Sequence, residues 1–335
     1  MSTPSTRLAS TTTPPPAEWA PHAGVWIGFP SHPELWEEDL DPAREEVMAF
    51  ARAVHADGRG ERVTLVAASG EAADVARAMA SVGDVADVIV QPFGDIWLRD
   101  TGPIVTGDGS ARLFQFNGWG GKYDLPGDDT VGARLAEDRG LTARACEWVL
   151  EGGAIDGDGT GLAVTTRQCL LNPNRNPELD QAGIERRLAE DLGLTRVVWL
   201  GDGLLNDHTD GHVDNLARFV GPNRIALPEA AENDPNWQVY TAARREALAA
   251  GLEVVTIPSP GRVLRDEEVV PASYMNFYIG NAAVVVPVYG TEHDAAGIAA
   301  IQAIFPDRAV MGLRADAILT GGGSFHCISQ QIPVL

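Results

Sequence analysis

The sequence predicts an α/β protein in which five similar units, each a hairpin followed by a helix and a strand, close radially around one central pocket. Three observations carry this. Four segments begin on a polar or charged cluster, run into a pair of alternating apolar stretches and turn through Gly, Asn or Asp. Their starts, at Arg99, Glu151, Gly211 and Tyr274, are 52, 60 and 63 residues apart, and self-similarity at such a period marks a repeat architecture. Finally, there is no GxGxxG and no P-loop turn of the kind a doubly wound nucleotide-binding sheet carries after its first strand.

Taken in chain order, Met1 to about Pro16 is rich in Ser, Thr and Pro, buries too little apolar surface to offset its ordering entropy, and is expected to be a mobile tail. Residues 17–335 contain no second linker of that kind and are expected to form one domain. The first unit fits VWIGFP from Val25, a helix from Pro42 to about His55, and VTLVAA from Val63. The second opens on RDTGPIVTGDGSARLFQF from Arg99, and the third on EGGAIDGDGTGLAVTT from Glu151. After the third comes PELDQAGIERRLAEDLG, where Ile184, Leu188 and Leu192 recur on one helix face, and then the strand RVVWL. The fourth runs from GHVDNLARFVGPNRIALP at Gly211 to LEVVTI. The fifth joins YMNFYIGNAAVVVPV, a helix carrying Ile298, Ile301 and Ile304, and RAVMGL.

Charge narrows the ligand class. With 25 Lys and Arg against 47 Asp and Glu the net charge is −22, so the electrostatic footprint for nucleic acid or an anionic membrane surface is missing and small cations are favoured. At 44% hydrophobic and 21% charged residues, the composition is that of a folded globular protein. No run approaches the roughly 20 apolar residues of a membrane span, and the start lacks the regions of a signal peptide, so a cytoplasmic location is expected. Three cysteines without CxxC spacing argue against a disulfide framework and a cysteine-rich zinc site.

Radial closure would bring the polar starts of the units together, with Asp100, Glu151, His212, Asp214 and Cys327 around one pocket. Cys327 follows the triple glycine Gly321–Gly323, where backbone turns tightly or approaches a ligand closely. Cys146 and Cys169 lie in apolar, strand-like runs and read as structural. His212 and Asp214 form an H-x-D pair that would share a face at a strand start. His208, Asp210, His212 and Asp214 also offer metal-ligand types at short spacing, but on a Gly-containing loop without a supporting helix. Asp100 and Glu151 read individually as turn or cap residues, and Arg99 as an ion-pair partner of Asp100.

A guanidinium group answers this list of side chains. It is a planar cation whose N–H fork suits carboxylates. Its delocalised carbon needs a strong nucleophile, for which a thiolate is best, and its leaving amine needs an acid such as His.

The motifs WLRDTGP, FNGWGGKYD, EGGAIDGDGTGLAVTT, CLLNPNRNP, TDGHVDN and GGGSFHCISQQIP together resemble the agmatine deiminases, the bacterial-type peptidylarginine deiminase family of the guanidino-group-modifying superfamily. The resemblance runs from about Pro16 to the C-terminus. It implies the pentein fold, a five-bladed pseudo-symmetric α/β propeller of ββαβ units. It also implies Cys327 as nucleophile, His212 as general acid/base supported by Glu151, and Asp100 and Asp214 gripping the guanidinium. The implied route passes through a covalent thiouronium, with no metal or organic cofactor, and a homodimer or higher closed assembly is expected. One position departs: the family commonly has an acid four residues before the catalytic His, facing the substrate's distal amine, and here it is His208. Adjacent Asp207 is the expected substitute, with the face of Trp97 as a pocket wall. Agmatine is the expected substrate, with arginine or peptidyl-arginine as the alternative. A metal hydrolase and a non-catalytic guanidinium-binding protein are the competing classes.

Overall fold

The computed structural model describes residues 8–335. Its mixed α/β architecture repeats one pattern, an antiparallel pair whose second strand also pairs with a parallel third. Four sheets follow it within a continuous stretch of chain. They are Ile104–Val105 with Ser110–Gln115 and Thr142–Val149, Ile155–Gly157 with Leu162–Thr166 and Arg196–Leu200, Arg218–Gly221 with Arg224–Glu229 and Glu253–Pro258, and Tyr278–Ile279 with Ala283–Val288 and Ala309–Arg314. A parallel pair needs a crossover, and helices Val131–Asp138, Gln181–Leu192, Trp237–Ala249 and Asp294–Ile304 supply it.

Besides a two-stranded pair, Leu264–Arg265 with Glu268–Val269, one further sheet joins distant parts of the chain. His22–Phe29 pairs in parallel with Val63–Ala67 after helix Leu40–His55, but its antiparallel partner is Ser329–Pro333. A further helix, Gly70–Ala80, brings Ala86–Val90 onto the outer edge of the same sheet. Among the periodic residues, Ile184, Leu188 and Leu192 are fully buried, each contributing roughly 1.5–3 kcal/mol of burial. Asp180 caps their helix by accepting from the Gly183 N–H, so it begins at Gln181 rather than at the preceding proline.

The expected hairpin starts differ in one respect. Four of them are short helical turns, Leu98–Thr101, Gly152–Ala154, Val213–Asn215 and Tyr274–Asn276, placed just before the first strand. His212 and Asp214 therefore converge through a turn, not through the alternation of a strand. The expected tail also differs. Residues 1–7 lie outside the described residues, but from Leu8 the chain is docked. The Leu8 N–H donates to the Thr195 carbonyl at 2.9 Å, and the Ser10 and Thr12 hydroxyls donate to the Ala189 and Glu190 carbonyls at 2.6 and 2.7 Å. Ser and Thr that cannot build a core here cap the open carbonyl end of helix Gln181–Leu192. Among the described residues, no helix is long and apolar enough to cross a membrane.

Candidate active site

The four helical turns are tied to each other and to the turn bearing Cys327. The Arg99 N–H donates to the Cys327 carbonyl at 3.0 Å, and the Gly153 N–H to Asp100 Oδ1 at 2.9 Å. Asn276 Nδ2 lies 3.0 Å from both Asn215 Oδ1 and Cys327 Sγ, and Ser273 donates to the Asn215 carbonyl at 2.7 Å. Above them opens a cavity of about 200 Å³ bounded by Trp36, Trp97, Trp119 and Tyr123, with Asp100 and Cys327 among its lining residues.

Asp100 is fixed on both oxygens, by the Gly153 amide and by the indole N–H of Trp119 at 2.9 Å. The His212 ring lies with Nδ1 3.7 Å from Asp100 Oδ1, and neither ring nitrogen has a well-formed hydrogen bond among the described residues. Glu151 is fully buried, one oxygen held by Arg175 Nε at 2.7 Å and the other without a donor among the described residues. Asp214 Oδ2 accepts from His326 Nδ1 at 2.7 Å and from the Cys327 thiol at 3.4 Å, leaving Oδ1 free of any donor among the described residues. All five sequence-predicted catalytic residues are thus neighbours.

Glycine makes this approach possible. A Cβ on Gly153 would lie 2.6 Å from His212 Nδ1, 2.9 Å from Asp100 Oδ1 and 3.1 Å from Asp214 Oδ2. In the triple glycine, Cβ atoms on Gly321 and Gly323 would meet the Trp97 ring at 2.6 and 2.5 Å. Trp97 is therefore a cavity wall pressed against bare backbone, its indole N–H bound to Asp95 at 2.6 Å.

The charges are set by these contacts. Burial pushes the Cys327 thiol well above the ordinary range, and Asp214 and Asp100 push it further. Burial disfavours the His212 imidazolium, but Asp100, Cys169 and Glu151 together hold it well above the usual histidine value. Burial likewise raises Asp100, whereas on Asp214 the His326 bond overcomes burial and keeps the carboxylate ionised. The free site therefore pairs a neutral thiol with an imidazolium. Iodoacetamide alkylation of Cys327, followed by mass spectrometry against pH, is expected to show a midpoint above the roughly 8.5 of a free cysteine. A midpoint below 7 would contradict this charge state.

Other expected residues stand apart. Asp207 does not line the cavity; Oδ1 is held by Thr209 and Oδ2 by Asn215. His208 does line it, half-turned outward with Nδ1 3.3 Å from the Tyr123 hydroxyl. Asp210 is bound by Lys122, Asn174 and Arg175, so the four-residue metal set of the 208–214 loop is not assembled. Glu151, Cys169 and His212 do offer ligand atoms within 4.8 Å of one another, but the Arg175 guanidinium already neutralises Glu151. Arg99 pairs with Glu18 at 3.8 Å rather than with Asp100.

Several residues here escape sequence reasoning. Cys169 lies on a short helix, Arg167–Leu170, against His212, not in a strand. His326 bridges Asp214 and Glu18, at 2.7 and 2.9 Å, and Arg218 holds Glu18 at 2.7 Å and Asp156 at 2.9 Å. Asn276 Oδ1 accepts the amides of His326 and Cys327. The only sequence signal for His326 is its place beside the cysteine, and Glu18 falls in none of the expected units.

A thiol near an imidazole, with buried carboxylates on the same wall, suits the chemistry of a guanidinium carbon. Fold and site together define a hydrolase of guanidino groups. The sequence pattern of the Porphyromonas-type peptidyl-arginine deiminases matches residues 15–333, and the chain belongs to that family. It is similar to the agmatine deiminase of Stutzerimonas stutzeri, at 37% identity over 95% of each chain. Its structure is similar to that of an agmatine deiminase of Enterococcus faecalis (TM-score 0.89, 29% identity, covering 98% and 99% of the two chains). It is likewise similar to a Cys-to-Ser variant of a C. jejuni agmatine deiminase with substrate bound (TM-score 0.88, 28% identity, covering 95% and 96%).

Proposed function

We propose that the protein is an agmatine deiminase, converting agmatine and water to N-carbamoylputrescine and ammonia in the cytoplasm. The observation that carries this reading is the Cys327 thiol 3.4 Å from an Asp214 carboxylate whose other oxygen, buried, has no donor among the described residues. A guanidinium supplies the missing N–H groups. The repetition of the sheets and the meeting of their polar turns support a five-bladed propeller, with residues 17–335 as one catalytic domain.

In this reading the substrate cation sits between Asp100 and Asp214, offsets their field and favours the Cys327 thiolate, the thiol proton leaving to solvent as the substrate binds. The sulfur attacks the guanidinium carbon to give a tetrahedral adduct. His212 as imidazolium protonates the departing nitrogen, ammonia leaves, and an S-alkylthiouronium remains on Cys327. Neutral His212 then takes a proton from water, the hydroxide adds to the same carbon, and collapse expels the thiolate and the ureido product. Asp100, with Glu151 held in place by Arg175 behind it, keeps His212 basic enough to cycle between these forms.

Two features favour agmatine over arginine. Among the described residues no Lys or Arg lines the cavity, so an α-carboxylate would enter without a partner. The cavity is also smaller than the roughly 300–1,000 Å³ of clefts that take drug-sized ligands, which disfavours a peptide. Measuring kcat/KM for agmatine, free arginine and a blocked arginine peptide tests this. Agmatine is expected to lead by at least about 30-fold, the least that an unpaired buried charge of about 2 kcal/mol brings. If agmatine ranks last, the assignment is wrong.

A further inference from the structure

His208 lines the cavity, and beside it the Lys122 ammonium donates to the His208 carbonyl at 2.7 Å and to Asp210 at 2.6 Å, so that side offers a substrate's terminal amine no free carboxylate. A cationic tail therefore needs another partner. Three carboxylates line the cavity, Asp39, Asp95 and Asp100.

Two of the three are already occupied. Asp100 belongs to the Trp119 indole and the Gly153 amide. Asp95 accepts from the indoles of Trp36 and Trp97 and from the Ile96 amide, and burial raises its pKa to about 6. Asp39 alone has no hydrogen bond or ion pair among the described residues. It closes the short acidic turn Glu37–Asp39, which runs straight into the 16-residue helix Leu40–His55 with Asp39 in helical conformation (φ −83°, ψ −4°), so its side chain makes no capping bond. Leu35 and Trp36, from the turn before it, line the cavity with it.

We propose that Asp39 holds the terminal ammonium group of the substrate and so selects ω-aminoalkylguanidines. This rests on the deiminase reading above. The half-buried carboxylate exchanges water for a charge-assisted hydrogen bond when the tail arrives, while the guanidinium is held by Asp100 and Asp214.

The test is Asp39→Asn, which keeps the side chain's size and breaks no hydrogen bond of the described residues, so the fold is not at stake. Steady-state kinetics are measured on agmatine and on 1-pentylguanidine, which replaces the terminal amine with a methyl group. In the variant, KM for agmatine is expected to rise about 10- to 100-fold, the range for a lost hydrogen bond to a charged group, with kcat within about twofold. Neither parameter should change for 1-pentylguanidine. An unchanged agmatine KM, or an equal rise for both substrates, overturns the tail assignment alone. Wild-type enzyme that releases no ammonia from agmatine overturns the deiminase reading itself, and this one with it.

Discussion

Replacing Cys327 with Ser is expected to lower kcat for ammonia release by at least roughly 10⁴-fold, the scale on which a nucleophile acting as a unit with its acid/base partner is lost. The guanidinium carbon is a poor electrophile, and a serine hydroxyl at this buried position, facing Asp214 and Asp100, is harder still to ionise than the thiol. The carboxylates and His212 are untouched by the change, so calorimetry should still find agmatine binding. Near-normal turnover in the serine variant would remove the covalent route. Loss of binding together with turnover would instead show that the sulfur helps to shape the ground-state site.

Gly153→Ala should also be damaging, though less so, without altering any group that reacts. Its new methyl would enter the space between His212 Nδ1, Asp100 Oδ1 and Asp214 Oδ2, at 2.6, 2.9 and 3.1 Å. These neighbours cannot all give way, because Asp100 is pinned by Trp119 and Asp214 by His326. Overpacking of this kind costs about 1–3 kcal/mol of stability, whereas a misplacement of about 1 Å among reacting groups costs about 100-fold in rate. Catalytic efficiency on agmatine is therefore expected to fall by about 100-fold or more, with thermal unfolding shifted by only a few degrees. A fully active Gly153→Ala enzyme would mean that the three groups do not act at this spacing.

What is legible in the sequence follows from its periodicity. The 60-residue repeat locates four of the five larger sheets, because each hairpin, helix and strand is written consecutively in the chain. The fifth hairpin is invisible there, since its strands, His22–Phe29 and Ser329–Pro333, are separated by most of the protein and only the fold pairs them. The same limit applies within the site. Cys327, His212, Asp100, Asp214 and Glu151 stand at unit starts or beside glycines, where local pattern marks them. Glu18, Asn276 and Arg218 act through partners from other units, and nothing in their own neighbourhood of sequence announces those partners. Asp207 is next to His208, but sequence adjacency does not fix where a loop carboxylate turns, and Thr209 and Asn215 draw it away. Asp39 carries no signal of its own, because an Asp before a helix reads as a cap, and only its place on the cavity wall shows otherwise.

The strand that completes the first sheet begins two residues after the nucleophile. A polypeptide with its other sheets formed would carry Asp100, Glu151, His212 and Asp214 and still have no thiol to offer. The attacking atom arrives only when Ser329–Pro333 finds His22–Phe29, a contact with one of the longest loop closures the chain can make. Recovery of activity during refolding is therefore a clock for the meeting of the two ends, and it runs behind any signal that reports helix or sheet content alone.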